Sequence, residues 1–269
     1  MPGPGIVCNT RPMMLRLPVV AGLFLAVSCG GDSGTSGDGG ATMDTPPATG
    51  SDLEKLGDEF DGSALDPTWQ RFRPEVIDLD VSSGALHVTP NQQVLWFNQS
   101  QGPLLYKLVS GDFKVSGSVQ SRLASSPALP PDQTVHLGGL MVRKPVAPGD
   151  GAQEDYVFIV VGFDVDDLSV ETKTTDNGAS TFEGPSWPFA GDAELRICRL
   201  GSTFRMYKRA PGSSDWTLAI TYERTDMPGD VQVGALVYAN TAAPDLRVSF
   251  DWLRFAPVND VAGCTADEP

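Results

Sequence analysis

The chain has 269 residues and a formal net charge of −15 at pH 7, with 34 acidic residues against 19 Lys and Arg. Nucleic-acid binding requires clustered Lys and Arg against the phosphates, and no segment supplies such a cluster, so this class of partner is excluded. Once targeting and linker sequence is set aside, the remaining length suits one folded domain with one sizeable core.

Residues 1–28 have the pattern of a bacterial lipoprotein-type signal peptide. Arg11 and Arg16 are the only charged residues before Cys29, and an apolar segment too short to span a bilayer follows them. The run Leu-Ala-Val-Ser-Cys ending at Cys29 resembles a lipobox, in which the cysteine carries the lipid. We therefore expect export across the inner membrane and anchoring to the cell envelope, the outer membrane or the cell surface. An ordinary signal-peptidase site after Ser28, which would release the protein, remains an alternative.

Residues 29–55 predict a flexible tether. The segment is rich in Gly, Ser, Thr and Pro and has scarcely any apolar residue. Such a segment cannot bury enough surface to offset the entropy that ordering would cost. The tether would hold a folded domain some distance from the membrane.

From residue 56 the chain is a succession of short strands. Residues 113–120 and 168–173 alternate apolar with polar side chains, which favours strands with one face in the core. Asp-Asn-Gly at 176–178 and Gly-Ser at 201–202 are turn signals between such strands. Further strands are predicted at 231–238 and 246–255. No stretch shows a capped 3.6-residue apolar period, so any helices should be short.

One hairpin forms the predicted centre of the fold. Residues 137–143 and 156–163 are two runs of apolar residues, the second almost continuously β-branched or aromatic. A continuous run of this kind is typical of a strand that is buried on both faces. The Pro- and Gly-containing loop at 144–154 is too short for a crossover helix, so an antiparallel hairpin is expected.

The residues carry a resemblance to a known family. The segment 58–74, Asp-Glu-Phe-Asp-Gly-Ser-Ala-Leu-Asp-Pro-Thr-Trp-Gln-Arg-Phe-Arg-Pro, resembles the opening of the concanavalin A-like domain at the C-terminus of many β-xylosidases and arabinofuranosidases. Gly-Leu-Met-Val-Arg at 139–143 and Phe-Asp-Trp-Leu-Arg-Phe at 250–255 continue the pattern in order. The resemblance implies an all-β fold, a two-sheet antiparallel jelly-roll sandwich over residues 56–257, with a C-terminal tail at 258–269. It does not fix a function.

The sequence assigns no catalytic residue. Glucanases of the superfamily carry Glu-x-Asp-x-x-Glu on one strand, which places two carboxylates on one face for retaining chemistry, and this motif is absent here. The nearest acidic cluster, at 164–167, is interpreted as a solvated turn. His87 and His136 are too isolated to indicate a metal or a triad. A glycoside hydrolase or lyase with an unrecognised site remains an alternative.

Cys198 and Cys264 form an even pair if Cys29 is acylated. In an oxidising compartment such a pair favours a disulfide that joins the tail to a strand. Two free thiols are the alternative.

The resemblance also implies a possible structural calcium ion. Sandwiches of this superfamily often hold Ca²⁺ near the junction of first and last strands, and Asp58 and Asp251 occupy the corresponding positions. Carboxylate oxygens are hard ligands that suit calcium. The alternative is that both acids cap loops and turns.

A ligand face follows from the same resemblance, because lectin-like sandwiches bind sugars on the concave sheet or its rim loops. If Leu140 and Val142 face the core, the side chains of opposite parity face away from it. The candidates so obtained are Arg143, Glu171, Lys173, Tyr238 and Asn240. Trp96 and Trp187 are the candidates for stacking on a sugar ring, and Trp69, Trp216 and Trp252 are assigned to the core, which Trp96 could join.

The predicted function is a lipid-anchored, monomeric, extracytoplasmic domain that binds a polysaccharide or oligosaccharide without catalysis. Its contact with the membrane would be through the lipid alone. A structural or protein-binding surface lipoprotein without a sugar ligand remains an alternative.

Overall fold

The computed structural model describes residues 46–146, 152–183 and 191–267. Within these ranges the chain forms fourteen strands and two short 3₁₀ helices, Gly50–Leu56 and Pro74–Val76. The strands are β1 (Gln70–Phe72), β2 (Ile77–Ser82), β3 (Ala85–Pro90), β4 (Leu104–Ser110), β5 (Phe113–Arg122), β6 (His136–Arg143), β7 (Tyr156–Phe163), β8 (Leu168–Asp176), β9 (Ala179–Glu183), β10 (Asp192–Leu200), β11 (Thr203–Arg209), β12 (Thr217–Glu223), β13 (Asp230–Ala239) and β14 (Arg247–Pro257).

The strands form two seven-stranded antiparallel sheets. The order in the first sheet is β1-β4-β13-β6-β7-β8-β9, and in the second it is β12-β11-β10-β5-β14-β3-β2. Alternate side chains of both sheets meet in one apolar core, to which β6 contributes Leu140, β10 Leu195 and β14 Phe250. The predicted all-β, two-sheet antiparallel sandwich is confirmed.

The predicted central hairpin is present as β6 and β7, which pair with Leu140 opposite Ile159. Both strands are buried along almost their whole length. Gly139 shows how close the backbones lie, because an added Cβ would be 2.2 Å from the carbonyl oxygen of Ile159. Asn177 and Gly178 have positive φ at the turn between β8 and β9, where the sequence places its Asp-Asn-Gly signal.

The folded part begins earlier than residue 56. Ala48 forms a bridge with Val109 of β4, and Leu53 is fully buried in the core. Leu53 docks this otherwise polar segment, with Ala48 and Leu56 packed against the same core, and composition alone does not reveal it. The tether boundary expected at residue 55 is therefore too late. The signal segment, Cys29 and most of the tether lie outside the described residues.

A β-bulge in β14 changes which residues face the core. The register against β5 shifts between Phe250 and Trp252, so Phe250 and Leu253 both point inward. Trp252 then lies on the outer face of the second sheet and is only half-buried, and Trp216 is also half-buried at the start of β12. The assignment of Trp252 to the core is wrong, whereas Trp69 lies in the main core and Trp216 packs against the smaller buried cluster around the disulfide.

The tail after β14 lies on the outer face of the second sheet. Cys198 of β10 and Cys264 form a disulfide, and both are fully buried. Arg196 donates to the carbonyl oxygens of Cys264 and Ala266 at 2.9 and 3.0 Å, and Lys114 donates to that of Ala266 at 2.7 Å. The tail is therefore fixed both covalently and by charge-assisted hydrogen bonds. No helix in the described ranges is long and apolar enough to cross a membrane.

Candidate functional site

The outer face of the first sheet carries the side chains that the alternation argument selects. Cross-strand partners share a face, and one row runs from Phe182 of β9 through Lys173 of β8 and Phe158 of β7 to Met141 of β6. Tyr238 belongs to the same outer apolar cluster as Met141. The alternation argument therefore places Lys173 and Tyr238 on the correct face of the sheet.

Apart from Phe182, these side chains are not open to water, contrary to expectation. Residues 91–103 cross the outer face, with Val94 bridged to Ala239 at the end of β13. Trp96 in this segment is fully buried, with its ring 5.4 Å from that of Tyr156 and 6.2 Å from that of Phe72. Trp96 is therefore part of the covering layer, and its ring is not available to stack on a ligand.

Arg143 belongs to a closed ionic network. Its guanidinium donates to both carboxylate oxygens of Glu154 at 2.8 Å and to Gln232 at 2.7 Å, and it lies 4.3 Å above the ring of Phe72. Both partners of the ion pair have side chains only 1% exposed. The expectation that Arg143 meets a ligand is wrong, because Glu154, which sequence reasoning did not select, already satisfies it.

Glu171 and Lys173 form a second buried ion pair, with Oε1 and Nζ 3.0 Å apart. Burial raises the pKa of the Glu171 carboxyl to about 7, while Lys173 opposes this rise and the nearby Asp164 adds to it. Burial also lowers the pKa of the Lys173 ammonium, which donates to the carbonyl oxygen of Trp96 at 3.2 Å and to the Tyr238 hydroxyl at 3.4 Å. The cluster holds the covering segment onto the sheet.

The surface beside this cluster is apolar and aromatic. Phe97 and Phe182 are 40% and 52% exposed, and the Lys173 ammonium lies 5.3 Å from the centre of the Phe97 ring. The backbone N–H of Asn98 donates to the Ser180 hydroxyl at 2.7 Å, and the Ser180 N–H donates to the Asn98 side chain at 2.9 Å. These reciprocal bonds tie the turn that bears Phe97 to the strand that bears Phe182. We call this surface, formed by Phe97, Asn98, Ser180 and Phe182, the aromatic rim.

Sequence reasoning did not select the aromatic rim. Phe97 ends the apolar run Val-Leu-Trp-Phe, in which the larger Trp96 is the stronger candidate for stacking on a sugar. Phe182 lies in a short polar strand. Of the predicted ligand residues, Asn240 is exposed and accepts a hydrogen bond from Gln93 at 3.0 Å. Trp187 lies outside the described residues.

Asp58 and Asp251 do not converge on one calcium position. Asp58 accepts hydrogen bonds from Trp69 Nε1 at 2.9 Å and from a backbone N–H, and it pairs with Leu253, which faces the core. Asp251 accepts from Ser118 at 2.7 Å on the outer face of the sheet. Because the Asp58 carboxylate is bonded to Trp69 in the core and the Asp251 carboxylate to Ser118 on the outer face, these residues do not fit a shared Ca²⁺ ion.

Three other carboxylates do lie together, at Asp155, Asp176 and Asp226, with one oxygen of each within 4.8 Å of the others. Arg224 forms ion pairs with Asp155 at 3.3 Å and with Asp226 at 2.6 Å, and Lys144 pairs with Asp155 at 3.0 Å. Two protein cations, Arg224 and Lys144, therefore already offset two of the three charges in this group.

The sequence matches no protein-family model and no curated protein. Among solved structures, a functionally unknown protein from Saccharomyces cerevisiae superposes with a TM-score of 0.56 at 16% identity, over 71% of this chain and 98% of its own. The GH43 protein BlXynB from Bacillus licheniformis superposes with a TM-score of 0.59 at 14% identity, over 76% of this chain and 40% of its own. The xylan β-1,4-xylosidase from Bacillus halodurans superposes with a TM-score of 0.54 at 17% identity, over 74% of this chain and 38% of its own.

These likenesses establish the fold. The chain spans nearly the whole of the yeast protein and about two fifths of each Bacillus protein. The fold they share with this chain is the antiparallel β-sandwich, and the fold implied by the resemblance at residues 58–74 and the later motifs is confirmed.

Proposed function

We propose that this protein is an extracytoplasmic carbohydrate-binding domain, and that the aromatic rim is its sugar-binding surface. The observation that carries the proposal is a pair of exposed rings, Phe97 and Phe182, on two segments that the hydrogen bonds between Asn98 and Ser180 tie together. Exposed aromatic rings fixed in place beside polar groups provide what a sugar requires, an apolar platform and hydrogen-bonding partners.

The buried layer below the rim supports this role. The Phe97 ring is supported from beneath by the Lys173 ammonium, which also contacts the buried rings of Phe158 and Tyr238. A site that is fixed before binding loses little conformational freedom when the ligand arrives. On this proposal Glu171 and Lys173 act indirectly, by positioning the rim rather than by touching the sugar.

The second part of the proposal is a lipid anchor at Cys29. The support is the sequence alone, namely the short apolar segment ending in Leu-Ala-Val-Ser-Cys and the Gly/Ser-rich tether after it. Mass spectrometry of the N-terminal peptide from the bacterial envelope tests it. An acylated Cys29 is the expected result, and an unmodified N-terminus released to the medium would contradict it.

A glycan array with the purified protein tests the binding proposal. The xylan-directed name of the Bacillus halodurans protein makes xylan oligosaccharides the first probes. Phe97→Ala and Phe182→Ala should each weaken binding to an array hit by at least tenfold. Leu218→Ala is the matched control, because Leu218 is similarly exposed, at 48%, on the second sheet.

Two outcomes would overturn the proposal. If the Phe97 and Phe182 variants bind as the Leu218 control does, the rim is not the site. If the array is blank and a pull-down with envelope proteins captures a specific partner, the protein-binding alternative replaces carbohydrate binding.

One observation favours a hydrolase as the second candidate. Glu171 has a pKa of about 7 and lies near Asp164, and a carboxyl protonated near neutrality is what a glycosidase acid requires. Its ion pair with Lys173 and its burial oppose this role. Release of reducing ends from xylan that Glu171→Gln abolishes would support the hydrolase, and no release by the wild-type protein would exclude it for that substrate.

A further inference from the structure

The outer face of the second sheet contains a cavity of about 310 Å³ that is remote in the fold from the aromatic rim. Three guanidinium groups line it, from Arg196 of β10, Arg209 of β11 and Arg254 of β14, together with the indole of Trp252. The turn at 212–214 adds two serine side chains. This concentration of arginine is notable in a chain whose net charge is −15.

Two of these arginines have an acidic partner and an aromatic partner. Arg209 pairs with Glu194 at 2.6 Å and lies 4.2 Å from the centre of the Trp216 ring. Arg254 makes two hydrogen bonds to Glu59, at 2.7 and 2.9 Å, and lies 4.6 Å from the centre of the Trp252 ring. The largely buried Glu194 carboxylate and the Trp216 ring therefore set the plane of the Arg209 guanidinium before any ligand arrives, which reduces the entropy cost of binding an anion.

A carboxylate of the chain itself occupies the edge of the cavity. Asp267 lines it and pairs with Arg209 at 3.1 Å, while the Asp267 side chain remains 72% exposed. The disulfide at Cys264 and the hydrogen bonds to the Ala266 carbonyl oxygen fix the chain immediately before it. An ion pair this exposed is weak and exchangeable, so a carboxylate from outside can take the place of Asp267 on Arg209.

We propose that this cavity binds a hydroxylated carboxylate, specifically a uronic-acid residue of an acidic polysaccharide. The guanidinium of Arg209 receives the carboxylate in exchange for Asp267, and Arg254 adds a second cationic contact. The serine hydroxyls at 213 and 214 and the indole of Trp252 suit a small, hydroxyl-rich ring. The volume lies at the low end of the range for ligand sites, which fits one sugar unit and not an extended chain.

Isothermal titration of the purified protein with trigalacturonate tests this site, with the fully methyl-esterified trisaccharide as the uncharged comparison. Arg254→Gln should weaken trigalacturonate binding by roughly 10- to 100-fold, as expected for the loss of a hydrogen bond to a charged group. Arg71→Gln is the matched control, because it removes the same charge from an exposed position on β1. Asp267→Asn should strengthen binding by about 2- to 5-fold, because it removes the competing carboxylate.

The outcomes separate the possibilities. Equal affinity for the methyl ester, or equal losses in the Arg254 and Arg71 variants, would overturn the proposal. Tighter binding of an acetylated Thr-Ala-Asp-Glu-Pro peptide than of trigalacturonate would also overturn it, since the cavity would then be a site for acidic peptides. Phe97→Ala should leave trigalacturonate binding unchanged, so failure of this proposal and failure of the rim proposal are distinguishable.

Discussion

Removing the disulfide between Cys198 and Cys264 should cost the protein a large part of its stability. The two residues are 66 positions apart in sequence. On the chain-entropy view, closing a loop of this length in the unfolded state stabilises the folded state by about 4 kcal/mol. With a urea dependence of about 2 to 3 kcal/mol per molar, the Cys198→Ser/Cys264→Ser variant should unfold at roughly 1.5 to 2 M lower urea.

Urea unfolding followed by tryptophan fluorescence measures this difference. The wild-type protein in reductant is the matched control, because it should lose the same stability without any change in sequence. Equal midpoints for the oxidised protein and the double variant would refute the loop-entropy reasoning. Thiol titration of the denatured, unreduced protein gives an independent check, and two free thiols would show that the bond does not form.

Three further predictions concern the packed interior. The free energy of unfolding should fall as the pH rises from about 4.5 to 7, because the folded state holds the proton on Glu171 more tightly than the unfolded state does. Urea midpoints compared at pH 5 and 7 measure this fall, which should be absent in Glu171→Gln. Gly139→Ala should lower the melting temperature by roughly 6 to 12 °C, which corresponds to about 3 kcal/mol of overpacking. Gly229→Ala is the control, because an added Cβ there meets nothing within 4 Å, and equal melting temperatures for the two variants would contradict the close approach of Gly139 to Ile159. Arg143→Met should lower the free energy of unfolding, measured by chemical denaturation, by about 3 to 5 kcal/mol, because it leaves the Glu154 charge buried alone. Adding Glu154→Leu should restore much of this loss, and a double variant no more stable than the single one would show that charge burial is not the cause.

Local pattern was sufficient to predict the strands and the faces of the sheets. The apolar run at 156–163 and the turn signal at 176–178 both appear in the structure where the sequence places them. This succeeds because strand periodicity and turn chemistry depend on neighbouring residues. Parity also placed Glu171 and Lys173 on the outer face of the first sheet.

Contacts between distant residues were not predictable in the same way. The covering of the outer face depends on Trp96 in a segment with no periodic pattern, and the pairing of Arg143 with Glu154 crosses a loop. The exposure of Trp252 depends on a single bulge, which reverses parity without leaving a mark in the composition. The arginine cavity combines residues from three strands, a turn and the tail, so no stretch of sequence contains it.

The positions of β13 and β14 have a consequence for how the protein folds. Each lies in the middle of its sheet, β13 between β4 and β6 and β14 between β5 and β3, although both follow all the other strands in the chain. Neither sheet can therefore close until residues 230–257 have been inserted between partners more than eighty positions earlier. Non-local pairing of this kind slows folding. During synthesis the chain would thus lack an internal strand of each sheet until β13 and β14 emerged, and both sheets would be completed late.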